Sequence, residues 1–105
     1  MESTFIRVLG DTPAIRVLHL LVGGRDLDYT LKDIAECAEV SWPTVQKIIP
    51  EFAKMGIILK TKKIGRIQLY RLNKTNLLAQ KIIEFEKALL NIIVDEARRK
   101  HKVLA

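Results

Sequence analysis

Between Thr30 and Phe52 the sequence carries two apolar stripes of helical spacing, and almost nothing separates them. Leu31, Ile34, Ala35 and Ala38 fall at i, i+3, i+4 and i+7, the spacing that puts side chains on one face of a helix. Val45, Ile48, Ile49 and Phe52 repeat it. Thr30 can cap the first helix, and Asp33 stands three residues on, in a capping-box position. Ser41 can cap the second by accepting a bond from a free backbone N–H. Since Ser41 comes three residues after Ala38, the first helix must be brief and the turn after it tight.

Two short helices joined by a turn of about 3–4 residues have the helix-turn-helix spacing. On the second, a step of about 100° per residue sends Pro43, Gln46, Lys47, Pro50 and Lys54 to the side opposite the stripe. Gly56 is placed to end it. Pro50 removes one helix hydrogen bond and crowds the Gln46 carbonyl, a cost of about 3 kcal/mol when uncompensated. A kink or an offset last turn is expected there.

Upstream, Ser3 can cap a short helix to Leu9 with Phe5, Val8 and Leu9 as its apolar residues and Gly10 as its stop. Thr12-Pro13 is an N-cap followed by proline at the first helical position. That helix bears Ile15, Leu18, Leu21 and Val22 at core spacing and stops at Gly23-Gly24. Leu27-Asp28-Tyr29 reads as a short extended piece. After Gly56, the β-branched runs Ile57–Lys62 and Ile67–Leu72 flank Lys63-Ile64-Gly65-Arg66, a hairpin with Gly65 supplying the turn. Its tip is expected to carry Lys62, Lys63 and Arg66.

Asn76 or Thr75 then caps a long helix to about Arg99. Leu78, Ile82, Phe85, Leu89 and Ile92 step by 4, 3, 4, 3, the seam of a coiled coil. Ala79, Ile83, Leu90, Val94 and Ala97 form a second stripe beside it. The combined apolar arc is wider than one docking surface needs, which implies a partner helix, most simply that of a second copy; the alternative is that the helix folds back and is buried in its own domain.

A chain of 105 residues is one domain's worth. Its net charge of +6 is unevenly placed. Residues 1–40 hold four lysines and arginines against seven acids, a net −3, whereas residues 41–75 hold eight against Glu51 alone, a net +7. Such a block, falling on the second helix of the pair and the hairpin, is the footprint of a surface that meets polyanions. The single cysteine, Cys37, excludes an internal disulfide and reads as a small buried residue. No signal-peptide pattern opens the chain, and the longest apolar run is far below the ~20 residues of a membrane span. An intracellular, cytoplasmic and nucleoid-associated protein is expected.

The order of elements and several motifs in register resemble a winged helix-turn-helix regulator of the ArsR type. The run from Leu9-Gly10-Asp11 to Arg16-Val17-Leu18 looks like the opening of those proteins. Leu31-Lys32-Asp33-Ile34-Ala35 resembles their first motif helix, and Ser41-Trp42-Pro43-Thr44-Val45 the start of their recognition helix. Met55-Gly56-Ile57-Ile58 and Gly65–Asn73 resemble the wing. Compact archaeal winged-helix proteins with a long C-terminal dimerisation helix are a second resemblance. The paired cysteines of metal-sensing members are missing, so no metal site is carried over. The resemblance implies a mainly α fold with a small β-hairpin wing. Residues 1–75 would form the DNA-binding domain, and residues 76–105 a long dimerisation helix with a basic tail.

On this reading the helix after Ser41 enters the major groove of double-stranded DNA, whose base edges carry a distinguishing donor/acceptor pattern. Gln46 can pair with an adenine edge, Thr44 with a base or phosphate, and Lys47 with guanine or the backbone. Ser41 opens the helix, and Trp42 and Pro43 offer apolar contact to a thymine methyl or a sugar. Trp42 can alternatively just cover the turn, and Gln46 can be an ordinary solvated residue. Lys60, Lys62, Lys63 and Arg66 on the wing would neutralise phosphates, with the tip in or beside the minor groove. Lys54 and Lys74 are weaker candidates. Arg98, Arg99, Lys100 and Lys102 read as cations favoured at a helix C-terminus, with a DNA role as the alternative. His19 and His101 read as a core-edge and a solvated histidine. No cofactor, catalytic group or enzyme activity is called for. The expected function is sequence-specific DNA binding by a homodimeric transcription regulator. Its rivals are a non-specific architectural DNA-binding protein and a protein–protein module with an acidic partner.

Overall fold

The computed structural model describes residues 3–104, with side chains through residue 100, so His101 and Lys102 lie outside the described side chains. Helix α1 spans Thr4–Leu9 and is capped by the Ser3 hydroxyl, which accepts from the Ile6 N–H. Of its apolar residues only Phe5 is buried; Val8 and Leu9 face outward. Helix α2, Pro13–Gly23, starts from Thr12 as expected. Its Val17, Leu21 and Val22 are completely enclosed and form the centre of the core.

Helix α3, Leu31–Ala38, opens with a complete capping box: the Thr30 hydroxyl accepts from the Asp33 N–H, and the Asp33 carboxylate accepts from the Thr30 N–H. It ends at Glu39, which has left-handed backbone with φ 56°. The Val40 N–H reaches back to the Ala35 carbonyl and the Glu39 N–H to that of Glu36. This is a helix stop of the kind glycine usually provides. Helix α4, Trp42–Lys54, follows from Ser41 and runs through Pro50 to its end. Gly56, at φ 74°, closes it: the Ile57 N–H donates to the Phe52 carbonyl and the Gly56 N–H to that of Ala53. Phe52 and Ile57 are both buried, the apolar contact that accompanies this stop.

The hairpin differs from its expected dimensions. Strand β1 is Ile58–Ile64, not Ile57–Lys62, and pairs antiparallel with β2, Ile67–Leu72. Ile64 pairs with Ile67, so Gly65-Arg66 alone makes the turn. Gly65 has φ 62° and Arg66 is not positive, the arrangement of a two-residue turn with glycine first. The register slips between Lys60 and Lys63, where an extra residue in β1 bulges the ribbon. Consequently Lys62 and Lys63 lie in the strand, and only Arg66 of the expected trio occupies the tip. Tyr29 adds a single antiparallel bridge to Tyr70 on the ribbon's other edge, with two 2.8 Å bonds.

Helix α5, Leu77–Leu104, is longer than expected. Its cap is Asn76, whose Oδ1 accepts from the Ala79 N–H at 3.0 Å. Ala79 and Ile83 enter the core, and Ile82, Phe85 and Leu89 lean on it from the side. Three residues of the expected dimer seam are therefore half-covered by their own protomer, through packing of α5 on α1 and α2. Leu78 and Ile92 remain exposed, as do Leu90, Ile93 and Val94. The domain's own surface takes one side of the arc from Ala79 to Leu89, leaving Leu78 and the turns from Leu90 to Val94 uncovered. Among the described residues, no helix is long and apolar enough to cross a membrane.

Candidate nucleic-acid interface

The apolar face of α4 is drawn inward by Val45, Ile49 and Phe52, all buried. That fixes the opposite side: Trp42, Pro43, Gln46, Lys47 and Pro50 are exposed. Trp42 is 46% exposed, so its ring does not vanish into the turn. Thr44 is half-buried, its Oγ1 2.7 Å from the Ser41 Oγ. The Ser41 hydroxyl caps α4 by accepting from the Thr44 N–H, and the Thr44 hydroxyl is engaged with it.

Lys60, Lys62, Lys63 and Arg66 are all exposed. Among the described residues none of them, nor Lys47, forms an ion pair with an acid. The remaining cations of the basic block are spoken for. Lys54 Nζ lies 3.5 Å from Glu51, Arg71 Nε donates to Asp28 at 2.9 Å, and Lys74 pairs with Asp26. The acidic 26–28 segment thus meets the base of the ribbon, and within residues 41–75 the cations left without an ion pair among the described residues lie on α4 and the wing. The Arg71 guanidinium beside Asp28 holds that carboxyl below its ordinary 3.8, and the Lys74 ammonium does the same for Asp26.

Asn73 and Asn76, the second read from the sequence only as a helix cap, tie the wing to α4. The Asn73 N–H donates to the Ile57 carbonyl at 2.7 Å and its Nδ2 to the Gly56 carbonyl at 3.1 Å. Asn76 Nδ2 donates to the Met55 carbonyl at 3.2 Å. The junction at which α4 becomes β1 is thereby clamped to the start of α5. For Asn73 the sequence signal was the turn-forming character of asparagine, visible where its Oδ1 accepts from the Thr75 N–H.

Cys37 is exposed, contrary to expectation, because α3 buries only Ile34 and Ala38. It shares an open groove with His19, whose ring stacks on Phe5 at 5.3 Å. No group of three potential metal ligands occurs among the described residues.

Three solved structures place this arrangement. Lactococcus lactis ZitR in complex with DNA superposes with TM-score 0.61 at 17% identity, over 80% of this chain and 60% of that one. The adhesin competence repressor AdcR of Streptococcus pyogenes gives 0.61 at 21%, over 80% and 61%. A MarR family transcriptional regulator from Silicibacter pomeroyi gives 0.58 at 18%, over 87% and 65%. The fold is a winged helix-turn-helix. In its terms α3 and α4 are the motif helices, β1 and β2 the wing, and α5 the long C-terminal helix. The chain spans roughly three fifths of the length of these neighbours. No protein-family model and no curated protein matches the sequence.

Proposed function

We propose that this chain binds double-stranded DNA as a sequence-specific, homodimeric transcription regulator, with α4 in the major groove and the wing on the flanking phosphates. The observation that carries the reading is the sorting of charge. Lys54, Arg71 and Lys74 have acidic partners, while Lys47, Lys60, Lys62, Lys63 and Arg66 face solvent and form no ion pair among the described residues. Unpaired cations on a helix-and-ribbon surface suit the regular phosphate array of a duplex. Ser41, Trp42, Pro43, Thr44, Gln46 and Lys47 are the residues proposed at the recognition end of α4, since N-terminal residues of such helices reach base edges. The ArsR-type motifs support a regulator, and the MarR-type fold neighbours, one solved with DNA, support the same use of the fold. Dimerisation would run through α5, where Leu90, Ile92, Ile93 and Val94 are bare. Leu78, Ile82, Phe85 and Leu89 would extend that contact toward the domain.

The test is selection of duplexes from a random pool by wild type and by Gln46→Ala. A sequence preference in the wild type, relaxed in the variant, supports the proposal. Binding without preference in both proteins identifies an architectural protein instead, and no binding at low salt ends the DNA reading.

A further inference from the structure

The two faces of the wing differ in character. Leu72 and Tyr70 lean toward the core. By the alternation of side chains along a strand, Ile67, Leu69 and Arg71 lie on the other face, where Leu69 is buried and Arg71 is paired with Asp28. On β2 the exposed apolar surface is thus confined to the tip, where Ile64 pairs with Ile67. Ile64 and Ile67 are 61% and 55% exposed. They sit at the closing pair of a hairpin whose turn is only Gly65-Arg66. A polar β-branched residue would support the strands equally well there, so hairpin stability alone does not ask for two exposed isoleucines.

Their surroundings indicate what they meet. Lys62, Lys63 and Arg66 are exposed beside them and have no acidic partner among the described residues. An apolar point flanked by unpaired cations complements the DNA minor groove, a slot about 6 Å wide between two rows of phosphates. Apolar side chains inserted there unstack base steps and bend the duplex by about 20–90°. We infer that the Ile64–Ile67 pair is an apolar wedge that enters the minor groove and bends the bound DNA, while Lys62, Lys63 and Arg66 hold the adjoining phosphates. This rests on the DNA-binding reading above.

The experiment compares wild type with Ile64→Thr/Ile67→Thr, which keeps β-branched residues in the strands; circular dichroism verifies the fold. Binding is followed by anisotropy across a salt series, and bending by energy transfer between the ends of a roughly 30-base-pair duplex. Lost apolar contact should weaken binding about 10-fold, the order set by uncovering two partly buried side chains. The slope of log affinity against log salt should not change, because no phosphate contact is lost. The bend seen with wild type should disappear. Equal bending and affinity in the two proteins overturns the wedge and leaves DNA binding intact. A change of oligomeric state in the variant also overturns it, by showing that another protein surface covers the pair. A wild type that binds no duplex at low salt fails the functional proposal itself.

Discussion

Arg16 donates from Nη1 to the carbonyl of Glu39 at 3.2 Å, across 23 residues of chain. The same guanidinium is held by both carboxylate oxygens of Asp11, at 2.6 and 3.0 Å. Glu39 is the left-handed residue that turns α3 into α4. An anchored arginine on α2 therefore braces the turn that sets the direction of the proposed recognition helix.

The brace and the strain can be separated by mutation. Glu39→Gly keeps the carbonyl and removes the cost of a side chain at φ 56°, so it should stabilise the fold by up to about 1 kcal/mol. Arg16→Ala should destabilise it through the lost bond to the turn. Urea unfolding of both variants, with unchanged slopes, measures the pair.

Acid should loosen the base of the wing. Folding depresses the carboxyls of Asp28, through Arg71, and of Asp26, through Lys74. Groups depressed on folding contribute stability above their ordinary 3.8 and lose it as pH falls through the lower folded values. Asp28→Asn should therefore melt below wild type at neutral pH, with the gap closing as pH drops below 4. Thermal melts from pH 7 to 3 check this, and a gap constant across the range would exclude the pairing.

Two glycines should respond differently to alanine. At Gly65 a Cβ meets nothing within 4 Å, so only the backbone strain at φ 62° counts, about 1–2 kcal/mol. At Gly56 the strain is joined by contact with Asn76 Nδ2, 2.6 Å from the added carbon. Gly56→Ala should cost more than Gly65→Ala in unfolding free energy and also disturb the clamp between α4 and α5.

Leu90→Glu/Val94→Glu tests the proposed dimer. Both positions are roughly half exposed in the single chain, at 53% and 46%, so the variant should fold normally. Sedimentation should find it monomeric where wild type is dimeric, with weaker DNA binding as a consequence. A wild type that already sediments as a monomer contradicts the proposal.

How much of this could be read in advance follows from the range of each interaction. Ser3, Thr12, Thr30, Ser41 and Asn76 cap helices through bonds spanning three residues, and such local chemistry is written in the sequence. The α3–α4 unit was legible for the same reason. The hairpin turn was not, because Gly65 is compatible with several loop lengths and only cross-strand register selects one. Nor was the division of α5: an apolar arc does not reveal which part its own domain covers. The Asp28–Arg71 and Asp26–Lys74 pairs join residues 43 and 48 apart. Net charge by segment therefore overstated the free cations. Of the proposed interface, the outward face of α4 was readable from periodicity, but the asparagine clamp that holds the wing beside it needed the fold.

The most direct test of the account is the salt dependence of duplex binding by wild type and by Lys62→Ala/Lys63→Ala/Arg66→Ala, followed by fluorescence anisotropy. Each phosphate contact removed should lower the steepness of log affinity against log salt by about 0.9, with affinity at low salt falling accordingly. An unchanged slope and affinity in a folded triple variant would show that the wing does not touch DNA.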